Sequence, residues 1–320
     1  MATTVQPSIY VDRTTTWHAI GKSVEECKSM EQVLQKSGLD YTVVKRQLMT
    51  YSDGFAGSDL IEVPGRFITA RDNDGHLYDV VSDKFEIVQN RDAFDFVNFM
   101  GGDLSFEKAG ETASGMIYII GKLPEVDILG DSFIPHVIFR NGFNGKVKIT
   151  AAVCPLRIVC QNQFNFAFKN TQNTVVIRHV QNAQAKLADA RETLKMSADY
   201  MAELTKMAEG YAATKLDEVQ LDRLLHTMFP LKGAEDMNAF KRHNLEEELA
   251  RFRRAYLADD NTNFKGTAWG VINAYTDFIT HKIPQGKTAT KEEGKFVMVT
   301  FHPGLMNSIF RHMAAAGIAV

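Results

Sequence analysis

Between residues 132 and 188 the chain carries no aspartate and no glutamate, although 39 acidic residues are spread over the rest of its 320 positions. Other scarcities narrow the field. Three cysteines, Cys27, Cys154 and Cys160, are odd in number and too few for a disulfide framework, which fits a reducing compartment. No stretch reaches the roughly 18 apolar residues of a membrane-crossing helix. The opening MATTVQPSIYVDRTTTW lacks the basic start and apolar run of a signal peptide. No fixed-period repeat and no lipidation motif is found. A cytoplasmic protein is expected, in the host cytoplasm if the source is viral.

Sequence signatures of chemistry are equally sparse. Gly286-Lys287-Thr288 resembles the end of a phosphate loop, but the upstream glycine is missing. Cys154 and Cys160, with His179, lack zinc-knuckle spacing, so no metal is expected. The carboxylates between 72 and 103 fall in turns and on a helix surface, without the converging set a metal-dependent nuclease needs. No Ser/His/Asp or Cys/His nucleophile set emerges from spacing. The expectation is a protein without catalytic residues and without a cofactor.

What is present is ordinary globular material, with 45% apolar and 23% charged residues. A Thr-rich arm covers the first 16 residues. Ser23-Val24-Glu25-Glu26 reads as a capped helix start, with Gly38 as its end. Strands are expected at 41–45, 67–70, 77–81, 85–88, 106–108, 116–122, 133–139, 146–152, 156–160 and 175–178, with a short helix over 90–100. Asp72-Asn73-Asp74-Gly75 and Asn141-Gly142 with Asn144-Gly145 are turn chemistry, each closing a hairpin. From Val180 the apolar period lengthens to three and a half: Val180, Ala183, Leu187, Ala190, Leu194, Ser197, Met201 and Leu204. That predicts one long helix ending near Gly210. Helices follow at 216–229, 234–258, 267–281 and 303–315. The fold class is α+β: a curved antiparallel sheet with helices, then a long helix and a C-terminal helical region. The division falls into 1–179, an α+β core that binds nucleic acid, and 180–320, a helical region.

The charge map gives the functional lead. Residues 1–131 carry net −9, residues 132–188 net +7, and residues 189–320 net −1. The acid-free stretch holds Arg140, Lys146, Lys148, Arg157, Lys169 and Arg178 with His179, side-chain amides including Gln161, Asn162 and Asn165, and the phenylalanines 143, 164, 166 and 168. Lys and Arg neutralise phosphates and release counterions. Amides bond phosphates and base edges. Aromatic rings stack on unpaired bases. A carboxylate beside a phosphate would be repelled. The expected interface is Arg140, Lys146 and Lys148 gripping the backbone around a hairpin, Arg157, Lys169, Arg178 and His179 lining a groove, and Gln161, Asn162 and Asn165 making polar contacts. The competing reading of Phe164, Phe166 and Phe168 is strand core.

Several strings recur together in order: Trp17-His18-Ala19-Ile20-Gly21, Gly38-Leu39-Asp40-Tyr41, Val81-Ser82-Asp83-Lys84-Phe85-Glu86-Ile87-Val88-Gln89-Asn90, Arg157-Ile158-Val159-Cys160-Gln161-Asn162, Arg178-His179, and Gly266-Thr267-Ala268-Trp269-Gly270-Val271-Ile272-Asn273-Ala274. Together they resemble a phage/plasmid-like family known as a domain of unknown function. More distantly, the order of helix, antiparallel sheet and long helix is similar to phage single-strand annealing proteins. That resemblance implies ring or filament assembly and single-stranded DNA held with its bases exposed, without ATP; none of those proteins' residues is carried over. The expected partners are single-stranded nucleic acid, DNA ahead of RNA, and further copies of the chain, with no membrane. The alternative is a phage protein that binds and modulates a host protein.

Overall fold

The computed structural model describes residues 17, 20–94, 104–157, 162–163, 165–166, 169, 174–180, 183, 193–231, 237–281 and 289–319. Its centre is an open antiparallel sheet. β1 (Lys22–Ser23), β5 (Ser105–Glu111), β6 (Met116–Lys122), β8 (Asp131–Gly142) and β9 (Ile149–Arg157) lie in that order. β9 then pairs with β10 (Asn162–Gln163) at one end and β11 (Thr174–Ile177) at the other, while β7 (Val126–Ile128) pairs with β8. A separate three-stranded sheet is made by β2 (Val43–Tyr51), β3 (Leu60–Arg71) and β4 (Leu77–Ser82).

The alternation of the strands decides what covers each face. Ile117, Ile119, Val137, Phe139, Ile149, Ala151 and Ile177 point into a core shared with α1 (Met30–Ser37) and α2 (Asn90–Phe94). Tyr118, Ile120, Ile138 and Cys154 point the other way, onto Trp17 and onto Phe296 of α7 (Ala289–Phe301). At the far end, Phe133, Val153 and Phe166 enter the largest core. There they meet α3 (Thr193–Ala213), α4 (Glu218–Met228), α5 (Ala239–Leu257), α6 (Ala268–Thr280) and α8 (Pro303–Ala315). Every residue of α6 is buried. The strand-rich and helical parts therefore share the largest core, while the core under α1 and α2 is built from residues 24–183 alone.

The α+β class stands, and so do both hairpins. Several elements differ from their sequence signatures. The first helix starts at Met30, capped by Ser29, because Lys22–Ser23 is taken as a strand by β5 and Val24 N–H bonds Glu107 O. Residues 85–88 form no strand; they run irregularly and bond His179 instead of a neighbouring strand. The strands expected at 146–152 and 156–160 are one strand through Arg157, since both halves pair continuously with β8 across Pro135 and Pro155. Residues 158–160 lie outside the described residues, as do 95–100 of the second helix. Gly210 does not end α3, which runs on to Ala213. Helix α7 had no sequence signature.

Two of the recurring strings are packing devices. Gly21 has φ +70°, and a Cβ there would lie 2.4 Å from the Tyr118 hydroxyl and 2.7 Å from Ala109 O. Gly270 approaches the 3₁₀ turn Asp259–Phe264 so closely that a Cβ would fall 2.2 Å from Phe264 O. Beside it, Thr267 caps α6 by accepting from Gly270 N, and Asn261 Nδ2 donates to Gly270 O at 3.0 Å.

Candidate nucleic-acid interface

The acid-free stretch does not remain acid-free in space. Arg157 is 1% exposed; its Nε donates to Asp131 Oδ2 at 2.9 Å, and its Nη2 reaches Asp131 at 2.7 Å and Asp260 O at 2.6 Å. It lines no groove. It ties the first acid before the stretch to the turn that precedes α6. Lys146 Nζ stands 2.6 Å from Asp79 Oδ2, and that pair is largely exposed. Asn165 is buried and donates to Val299 O and Thr300 O, so it anchors α7 and makes no surface contact. Phe166 is core, with Tyr200 OH bonding its backbone on both sides. Gln161, Phe164 and Phe168 lie outside the described residues. Asn162 forms the short pairing with Arg157 in β10.

Arg140, Lys148 and Arg178 behave differently. Arg140 Nε donates to Thr150 Oγ1 at 2.9 Å, and its guanidinium lies 4.1 Å from the centre of the Phe301 ring. Burial lowers its pKa, and no carboxylate offsets that. The fully buried Arg157 has acids beside it; among the described residues Arg140 has none.

The register brings the other two cations to the same region. Arg140 pairs with Thr150, and Thr150 with Val176. Alternation then puts Lys148, two residues before Thr150, and Arg178, two after Val176, on the face that carries Arg140. They face each other one step beyond the last pair, Ile149 with Ile177. Both are exposed, and Val176, two residues before Arg178 and opposite Thr150, is 49% exposed. β11 is an edge strand among the described residues. Lys169 is also exposed, and nothing in the register brings it to this cluster.

Next to Arg178 an open groove of about 800 Å³ is lined by Lys45, Asp83, Lys84, Phe85, Glu86, Ile87 and Val180. Its floor is built by the string at 81–90. His179 stacks on Phe85, with ring centres 5.0 Å apart. Glu86 N–H bonds His179 O. The His179 Nδ1 lies 3.2 Å from Glu86 O, and since a carbonyl only accepts, Nδ1 carries the proton. Burial pushes the His179 pKa down, so the ring is neutral and its role here is to hold the floor. The Glu86 carboxylate accepts from Ala183 N–H. Lys45 Nζ donates to Asp83 O.

Lys45 and Lys84 were not singled out in the sequence. They sit in a part of net charge −9, and only the fold takes them to the acid-free strands. The groove lining itself balances Lys45 and Lys84 against Asp83 and Glu86, and Lys146 is matched by Asp79, so the positive excess rests on Lys148, Arg178 and Arg140 on the sheet face.

Other clusters are structural. His136 is fully buried beside Trp17, its Nδ1 3.0 Å from Ile134 O and its Nε2 3.0 Å from Glu107. Cys154 is paired across strands with His136, but burial pushes its thiol up to about 12, so it is no nucleophile. Arg71, Tyr41, Tyr78 and Glu111 form a bonded network between the small sheet and β5. Among the described residues no His/Cys/Asp/Glu group is arranged to hold a metal, and no helix is long and apolar enough to cross a membrane. A family model described as "Domain of unknown function (DUF932)" matches residues 77–299. No curated protein and no solved structure matches the chain.

Proposed function

Because the chain belongs to the DUF932 family, whose description assigns no activity, we propose from the site itself that it is a non-catalytic single-stranded DNA-binding and annealing protein of phage type. It works without ATP, as a homo-oligomer in the cytoplasm. The observation that carries this reading is Arg140, a guanidinium fixed by Thr150 and Phe301, with no acidic partner among the described residues, on the sheet face shared with Lys148 and Arg178. A phosphate is the anion that a fixed planar fork suits best. Lys148 and Arg178 are the exposed cations beside Arg140 on that face, and Lys84 and Lys45 line the nearby groove together with Asp83 and Glu86. The open edge at β11 leaves bases free to face solvent, as strand pairing requires. RNA offers the same phosphates, and DNA is preferred on the resemblance to annealing proteins alone.

Fluorescence anisotropy with a labelled oligonucleotide, repeated over a salt series, tests the proposal. Single strands should bind more tightly than duplex, with a log–log salt slope of about −0.7 for each phosphate neutralised. The triple variant Arg140→Gln, Lys148→Gln and Arg178→Gln should flatten that slope by about 2. Absence of binding at about 50 mM salt defeats the reading. The exposed Val176 and Val180 beside Arg178 favour one second reading, an acidic and apolar segment of a host protein. Its signature is a stoichiometric partner that an oligonucleotide does not displace.

A further inference from the structure

The β2–β3 hairpin outruns its own sheet. β4 pairs with β3 only from Arg66 to Ala70, while β2 and β3 continue together out to Tyr51 opposite Leu60. The ribbon bends where Gln47 pairs with Phe67 and Met49 with Glu62, so that the residues around Pro64 and Gly65 bulge against a single partner. Gln47 Nε2 bridges that bulge to Val63 O and Arg66 O. The tip is ordered by its own bonds: Ser52 N–H to Asp59 O, Phe55 N–H to Asp53 Oδ1, and Ser58 Oγ to Phe55 O.

This tip carries an unusual concentration of uncovered apolar surface. Phe55 is 75% exposed, Leu60 58%, and Ile61, Met49 and Tyr51 are exposed as well. Residues 47–65 also hold Asp53, Asp59 and Glu62 with no lysine or arginine. A ribbon that is both apolar and negative repels nucleic acid and anionic membranes alike. It calls for a surface that is apolar and basic.

The chain owns such a surface. Residues 249–259, the C-terminal end of α5 and the residue pair after it, contain Arg251, Arg253 and Arg254 against the single acid Asp259, a net positive end. Arg253 and Arg254 are exposed, and Leu257, one turn on, is 62% exposed. We propose that the tip of the β2–β3 ribbon docks on the Arg253/Arg254/Leu257 end of α5 in a second copy of this chain. Phe55 at the turn and Leu60 with Tyr51 opposite it supply the apolar contact; Glu62, on the face of Leu60, meets the two arginines, and Asp59 on the other face adds to the negative potential of the tip. The two surfaces are different patches, so the contact is head-to-tail, and repetition of it yields a ring or a filament. The inference stands on the ribbon and α5, and does not depend on what binds at Arg140, Lys148 and Arg178.

Sedimentation of nuclease-treated full-length protein, without oligonucleotide, tests it. Wild type should self-associate with rising concentration. The double variants Asp59→Arg with Glu62→Arg, and Arg253→Glu with Arg254→Glu, should each weaken association roughly tenfold. An equimolar mixture of the two should regain it, because the reversed tip then meets a reversed helix end. The substituted side chains are on the surface, and recovery in the mixture shows that both variants remain folded. A wild-type protein that stays at its 35.8 kDa monomer mass overturns the proposal, as does association that neither double variant weakens or that the mixture fails to restore.

Discussion

Arg140 and Arg157 lie on adjacent strands of one hairpin, yet they have opposite fates. Arg157 is buried between Asp131 and Asp260, while Arg140 rests on Phe301 without a carboxylate. Arg157→Met leaves two partly buried carboxylates without their counter-charge and should cost about 3 kcal/mol in denaturant unfolding. In an anisotropy salt series on whatever protein folds, it should leave the slope unchanged. His179 supplies a pH signature. Its folded pKa lies below the ordinary 6.5 because burial disfavours the charged ring. Between the two values the unfolded chain binds the proton that the folded chain refuses. The stability it contributes is complete above 6.5 and falls as pH drops towards the folded value. Urea titrations at several pH values should show that loss, and His179→Gln should reduce it.

At the level of elements, the string Gly266–Ala274 illustrates what a recurring motif can mean. Its threonine caps α6, its tryptophan fills the main core, and its second glycine admits the preceding 3₁₀ turn. Gly270→Ala should destabilise by about 1–3 kcal/mol, the usual cost of overpacking, read as a lowered urea midpoint with oligonucleotide affinity intact in the folded fraction. Hairpins with strong turn chemistry were legible from sequence, because Asp72–Gly75 and Asn141–Gly145 fix the chain locally. The helix expected from Ser23 failed for a non-local reason: β5 offers Lys22 and Ser23 a strand partner, and Ser29 then caps the shorter helix.

Considered whole, the molecule has three hydrophobic clusters among its described residues, and the largest of them crosses the change from strands to helices. Its two tryptophans report on different clusters, Trp17 against the sheet and Trp269 among the helices. Fluorescence of Trp17→Phe and of Trp269→Phe protein should therefore give coincident unfolding midpoints, after correction for each variant's stability by circular dichroism. Well-separated midpoints would show that the halves fold independently. The groove likewise joins distant segments: its lining comes from Lys45, residues 83–87 and Val180, which meet only in the folded chain.

The sequence by itself determined the α+β class, the hairpins that local turn residues impose, and the bias of positive charge towards 132–188, since each depends on residues near in the chain. It also marked Arg140, Lys148 and Arg178, though not what separates them from Arg157 and Lys146. Only the tertiary structure decided that, because an ion pair depends on distance in space: Asp79, Asp131 and Asp260 come from outside the stretch and neutralise part of it. The fold likewise brought Lys45 and Lys84 to the groove from an acidic segment. A count of charges along a chain fixes how much charge there is, and folding fixes which of it remains for a partner.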